Sequence, residues 1–131
     1  MNVVDSSGWL EFFADGPNAD HFAGPICQPD DLVVPTVTLY EVFKVVLRQR
    51  GEQPALRAIA QMRRGDVVPL SESLALSAAR TSVEESLPMA DGIILATARA
   101  FGAAVWTQDE DFAGKDDVRY VRRQPAPPDV R

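Results

Sequence analysis

The stretch "PMADGIILATARAFG" (residues 88–102) reads as one α-helix ending in a turn. Pro88 suits its first position, where a missing N–H costs nothing, and Gly102 suits its C-terminal cap. At 100° per residue, Ile94, Leu95 and Ala98 stack above Asp91 and form the stripe the helix should bury. "AAVW" (103–106) follows at once and has the composition of a buried strand. A helix feeding directly into a buried strand is the return half of a βαβ unit, so this stretch implies an α/β domain with a parallel sheet. It also sets a problem: a carboxylate heads the most apolar stripe of the helix, where it risks losing water.

The rest of the chain repeats the alternation. Further strands are expected at "NVV" (2–4), "LVVPT" (32–36), "DVVPL" (66–70) and "VRYV" (118–121). Most are valine-rich, as strands covered on both faces should be. Helices are expected at 7–15, 38–50, 53–64, 71–86 and 88–101, with Pro54 at a helix start and Gly51 at a helix end. The expected architecture is a three-layer fold, a parallel sheet between helices, in one domain over residues 1–123. The tail "QPAPPDVR" (124–131) lacks the periodicity of a packed element and is expected to be extended and mobile.

Composition narrows the chemistry. The 131 residues are 46% hydrophobic and 24% charged, ordinary for a globular domain. No apolar run approaches the roughly 20 residues that span a bilayer, so no membrane association is expected. The N-terminus lacks signal-peptide character, and a single cysteine, Cys27, rules out an intrachain disulfide; both fit a cytoplasmic protein. One histidine and one cysteine leave no His/Cys zinc site, so any metal here is a hard ion held by oxygens. A net charge of −6 argues against broad attraction to nucleic acid, though not against a local basic surface or a metal-bridged contact.

Ligands of parallel sheets bind beyond the carboxyl ends of the strands. Asp5 follows "NVV" directly, and Asp109 follows "AAVW" after a short turn. Glu41 lies near the start of the helix after "LVVPT". Asp91 opens a helix that runs antiparallel to the next strand, which puts its N-terminus at the same edge. Each acid also has a structural reading. Asp5 is a possible helix cap, Thr38 and Glu41 have capping-box spacing, and Asp109 sits in the acidic turn "TQDEDF". As a group they are costly without a cation: two like charges about 4 Å apart repel by roughly 4 kcal/mol at an effective dielectric near 20. Several such pairs rival the roughly 5–15 kcal/mol stability of a whole domain. Mg²⁺ or Mn²⁺, which prefers carboxylate and water oxygens, relieves that repulsion and explains why Asp91 faces inward.

The segments "NVVDSSGWLEFF", "TLYEVFKVVLR" and "LPMADGIILATARAFGAAVWTQDEDF" resemble the successive acidic motifs of PIN-domain ribonucleases, in particular the VapC-type toxins of bacterial toxin–antitoxin pairs. The resemblance spans about residues 1–123. It implies the PIN-like fold, a twisted parallel five-stranded sheet flanked by helices. It also implies that Asp5, Glu41, Asp91 and Asp109 are the acidic quartet, catalytic and metal-binding, around one or two Mg²⁺ or Mn²⁺ ions. Thr107 matches a supporting hydroxyl, Ser6 is a second polar group at the site, and Asp111 matches a frequent additional acid. The implied activity is metal-assisted hydrolysis of RNA phosphodiesters by a toxin that inhibits translation. The implied partners are a VapB-type antitoxin and a second copy in a homodimer.

For flanking phosphates the candidates are Lys44 and Arg48, with Arg99 farther along its helix. The aromatics Trp9, Phe12 and Phe13 suit either the core or an apolar groove for the antitoxin. Cys27 and His21 have no catalytic motif around them. A phospho-receiver domain is disfavoured, because the third strand ends "VVPLS" without an aspartate and the fifth lacks its lysine. The alternatives left open are a non-catalytic PIN-like binding module and a metal-dependent nuclease acting on DNA.

Overall fold

Valine runs decide where the strands lie. In the computed structural model, which describes residues 1–125, the strands are β1 (Asn2–Val4), β2 (Val33–Pro35), β3 (Asp66–Val68), β4 (Ala104–Thr107) and β5 (Val118–Tyr120). All pairings are parallel. Ladder bonds join β1, β4 and β5 in one group and β2 with β3 in another. A parallel bridge between Asn2 and Leu32 connects the two, giving the spatial order β3-β2-β1-β4-β5. The expected five strands are present, each short, and the sheet is held together at its middle by a single bridge.

Side chains alternate across this sheet, and the two halves of the core follow. Val4 and Val34 point to one face, where Trp9, Phe22, Val42, Val46 and Met62 pack. Val3, Val33 and Val105 point to the other and meet Ile94, Leu95, Ala98 and Phe112. The first face is covered by α1 (Ser6–Phe13), α2 (Ala19–Ile26), α3 (Thr36–Arg50) and α4 (Glu52–Met62). The second carries α6 (Met89–Ala100), against which α5 (Glu72–Glu85) packs. The result is the three-layer arrangement. The stripe read above Asp91 is buried as expected, with Ile94, Leu95 and Ala98 each 1% exposed.

Three local details depart from the sequence reading. Helix α2 had no counterpart in it, because Gly24 and Pro25 interrupt the segment; yet Ala19, Phe22 and Ile26 form a buried stripe at helical spacing. Helix α3 starts at Thr36 rather than Thr38, directly behind Pro35, whose extended backbone closes β2. Thr38 therefore is not a cap: its hydroxyl donates to the Pro35 carbonyl at 2.6 Å, and Glu41 is freed from the capping box. Helix α4 begins two residues before Pro54, right after Gly51, whose φ of 91° lets one residue end α3 and start α4. Of the tail expected at 124–131, residues 126–131 lie outside the described residues.

Candidate metal centre

Neighbouring strands β1 and β4 end side by side, and their carboxyl ends carry Asp5 and Asp109. Asp5 is 2% exposed and does act as the α1 cap, accepting from Gly8 N at 3.0 Å. Its first oxygen also accepts from Ser7 Oγ at 2.8 Å, and its second from Thr107 Oγ1 at 2.7 Å. Gly8 makes this seat possible: a Cβ there would lie 2.6 Å from the Phe22 ring and 2.7 Å from Val4 Cγ1. Burial pushes the Asp5 carboxyl up to about 6, opposed by these three hydrogen bonds. Capping and participation in the acidic group are not alternatives for Asp5, since its side chain does both.

Thr107 couples the two strand ends. Fully buried, its hydroxyl donates to Asp5 and accepts from the Asp109 backbone N–H at 2.9 Å. Asp109 in turn caps the 3-10 turn Glu110–Phe112, accepting from Asp111 N at 3.0 Å. Substituting Thr107 with valine keeps the volume and strands both partners. Thr107→Val is expected to cost about 1–3 kcal/mol of stability and to slow any reaction at the site by roughly tenfold. Thermal unfolding and turnover measured together check this, and an unchanged melting temperature would contradict it.

Asp91 sits in the first turn of α6, half-buried. Its pKa is pushed up to about 7, first by desolvation and then by the negative charges of Asp109, Asp5, Asp111 and Glu41. Oxygens of Asp91, Asp109 and Asp111 lie within 4.8 Å of one another. Glu41 projects from the second turn of α3 and accepts from Ser6 Oγ at 2.5 Å, so Ser6 does stand at the site. Among the described residues the ion pairs are those of Glu85 with Arg99 and Lys115, and none involves these five acids. Arg99, one of the candidate phosphate contacts, is thereby committed to Glu85.

The group therefore brings together all four acids read from the sequence, the other three acting on Asp91, and adds Asp111 to them. The converging oxygens belong to Asp91, Asp109 and Asp111. Asp5 and Glu41 act on Asp91 through their charges while accepting hydrogen bonds, Asp5 at both oxygens. Serines 6 and 7 orient those two carboxylates; their place in "VVDSSG", at a strand end before a helix, was the signal for both. Acidic oxygens this close, with no lysine or arginine paired to them among the described residues, are a donor set that suits Mg²⁺ or Mn²⁺. His21 packs instead against the Phe22 and Trp106 rings, each 5.0 Å away, and Cys27 is exposed at the end of α2.

This parallel sheet with acids gathered at the ends of β1 and β4 defines an α/β domain of the acidic-cluster type. The PIN domain model matches residues 3–118, and the chain belongs to the PIN domain family. Its sequence is 31% identical to Ribonuclease VapC4 of Mycobacterium tuberculosis, over 92% of this chain and 98% of that protein. Solved structures share the fold. A chain of a toxin–antitoxin complex from Klebsiella pneumoniae superposes with a TM-score of 0.77 at 22% identity, covering 91% of this chain and 96% of that one. Mycobacterium tuberculosis VapC20, described as a sarcin–ricin loop cleaving toxin, gives 0.70 at 21% identity, covering 95% of this chain and all of that one. No helix among the described residues is long and apolar enough to cross a membrane.

Proposed function

We propose that this chain is a divalent-metal-dependent ribonuclease and the toxin of a toxin–antitoxin pair. The observation that carries this reading is the set of carboxylate oxygens from Asp91, Asp109 and Asp111 within 4.8 Å, with no basic partner among the described residues. Kinship with a ribonuclease of the VapC type supports the choice of RNA. Asp5, Asp91 and Asp109 would hold the ion with Glu41 completing the cluster, and Asp111 offers a further oxygen beside Asp91 and Asp109. The ion, Mg²⁺ or Mn²⁺, supplies Lewis acidity that makes water a nucleophile at neutral pH and offsets charge on the phosphate.

The protein's own part is positioning. Thr107 ties Asp5 to the Asp109 turn, Ser7 and Gly8 lock Asp5, and Ser6 fixes Glu41. On α3, Lys44 lies one turn beyond Glu41 with its ammonium 5.7 Å from the Tyr40 ring, and Arg48 follows one turn later; both are exposed. They are placed to meet phosphates flanking the scissile one. Lys44→Ala with Arg48→Ala is expected to weaken RNA binding and to lower the salt-dependence slope by about 1.4, roughly 0.7 for each single-strand phosphate no longer neutralised. An unchanged slope would remove both from the RNA path.

The antitoxin has a place to dock. A cleft of about 740 Å³ lies among α1, α3 and α4, with Leu10, Phe13 and Val46 on its walls and Arg50, Arg57 and Arg123 around it. Trp9, expected either here or in the core, is 1% exposed and belongs to the core. Such a groove suits an amphipathic segment of a VapB-type partner. The reading is tested by offering the purified protein RNA and DNA pools of matched sequence with Mg²⁺, Mn²⁺ or EDTA. Metal-dependent cleavage of RNA alone is the expected result. Cleavage of DNA alone would identify a deoxyribonuclease, and binding without cleavage would identify a non-catalytic module.

A further inference from the structure

Behind β5 the chain crosses the same edge of the sheet that carries the acids, and it is pinned there twice. Val121 N donates to the Thr107 carbonyl at 3.0 Å, and the Arg122 carbonyl accepts from the buried Asn18 side chain at 3.0 Å. The same Asn18 amide also donates to Gln108 Oε1 at 3.0 Å. A second cleft, about 640 Å³, opens between this segment and the acidic turn, lined by Gln108, Asp109, Glu110, Tyr120, Arg122 and Arg123. Asp109 thus faces both the metal-donor group and this cleft.

Arg122 and Arg123 are exposed, and among the described residues neither is in an ion pair, although Asp109 and Glu110 line the same cleft. The nearby Arg119 is not equivalent, since its guanidinium lies over the Trp106 ring at 5.2 Å. Tyr120, 36% exposed, adds an aromatic face to the wall. Two unneutralised guanidiniums, an aromatic surface and a polar opening beside the acids are the elements that hold a single-stranded polynucleotide. The strand order places this bank beyond β4, whereas α3, with Lys44 and Arg48, follows β2 on the far side of β1. The acids lie between the two banks.

We propose that Arg122 and Arg123 bind phosphates of one arm of the RNA leaving the acidic centre, with Tyr120 as the surface on which a base stacks. This rests on the ribonuclease reading. Both side chains are exposed and the structural contact of Arg122 is made by its carbonyl, so alanine substitution leaves the fold intact.

The test measures binding of a labelled single-stranded RNA across a salt series, in an Asp91→Asn parent that does not cut it. Adding Arg122→Ala and Arg123→Ala is expected to weaken binding about 10- to 30-fold at ~0.1 M salt and to lower the slope by about 1.4. Arg63→Ala with Arg64→Ala removes the same charge just before β3, at the opposite edge of the sheet, and is expected to leave the slope unchanged. In the cleaving protein, the Arg122/Arg123 pair should raise KM and leave kcat near its original value. An unaltered slope, an equal loss in both double variants, or a parent that binds no RNA overturns the proposal. Failure of the unsubstituted protein to cut RNA counts against the ribonuclease reading alone, because the binding comparison stands without it.

Discussion

Asp91→Asn is expected to move activity and stability in opposite directions. Loss of a donor carboxylate at the point where charge develops should lower RNA cleavage by about 1,000-fold or more. Without metal, the same change relieves a strained group. Desolvation, and then the charges of Asp109, Asp5, Asp111 and Glu41, raise the Asp91 pKa from 3.8 to about 7. The folded protein then keeps a proton that the unfolded chain has released. Stability therefore falls as pH rises from about 4 to about 7 and is lowest above that range. Discounted for the partial exposure of Asp91, the relief at pH 8 is about 1–2 kcal/mol, or roughly 3–8 °C in Tm. In EDTA the unsubstituted protein should melt higher at pH 5 than at pH 8, and Asp91→Asn should remove much of that difference. A first-turn aspartate serving only the helix dipole predicts the reverse, a loss of about 0.3–1 kcal/mol on substitution.

Phe112→Ala should be the most damaging single change outside the acids. Phe112 is fully buried in the second core cluster with Val105, Ile94 and Leu95, and it closes the turn on which Asp109 and Asp111 stand. Its backbone N–H donates to the Asp109 carbonyl at 3.1 Å, so the ring anchors two of the three converging carboxylates. Truncation is expected to cost about 3–5 kcal/mol, lowering Tm by roughly 10–20 °C, and to weaken metal binding well below the melting point. Phe112→Leu refills most of the space and should recover most of both. Differential scanning calorimetry with a parallel Mn²⁺ titration checks this. If Phe112→Ala binds Mn²⁺ as tightly as the unsubstituted protein, the turn is held by other contacts.

How much was legible in the sequence follows from where the physical signals are local. Three of the five strands announce themselves through valine pairs and the other two through short β-rich runs, and five helices through periodicity and end residues, so the α/β layering could be read directly. Helix α2 was hidden because Gly24 and Pro25 mask the stripe of Ala19, Phe22 and Ile26 that tertiary burial turns into a helix. Strand order gathered the four acids, since Asp5 and Asp109 end adjacent strands and Asp91 opens the helix that leads into one of them.

The hydrogen bonds that hold the acids were not legible. They depend on tertiary contacts, and Asp5 accepts from Ser7, Gly8 and Thr107. The turn after β4 brings Asp111 into the group with Asp91 and Asp109. The capping-box reading of Thr38 and Glu41 failed for a related reason: Pro35 sets the helix start two residues earlier than the pattern suggests.

The most direct test is one Mn²⁺ titration of the protein at pH 7.5, with bound Mn²⁺ read by electron paramagnetic resonance and RNA cleavage read in the same samples. Saturable binding whose midpoint coincides with the onset of cleavage, with both abolished in Asp91→Asn, is the predicted result. Cleavage that proceeds with no Mn²⁺ bound, or Mn²⁺ binding that survives Asp91→Asn unchanged, would contradict a metal centre built on the aspartate at the head of that apolar stripe.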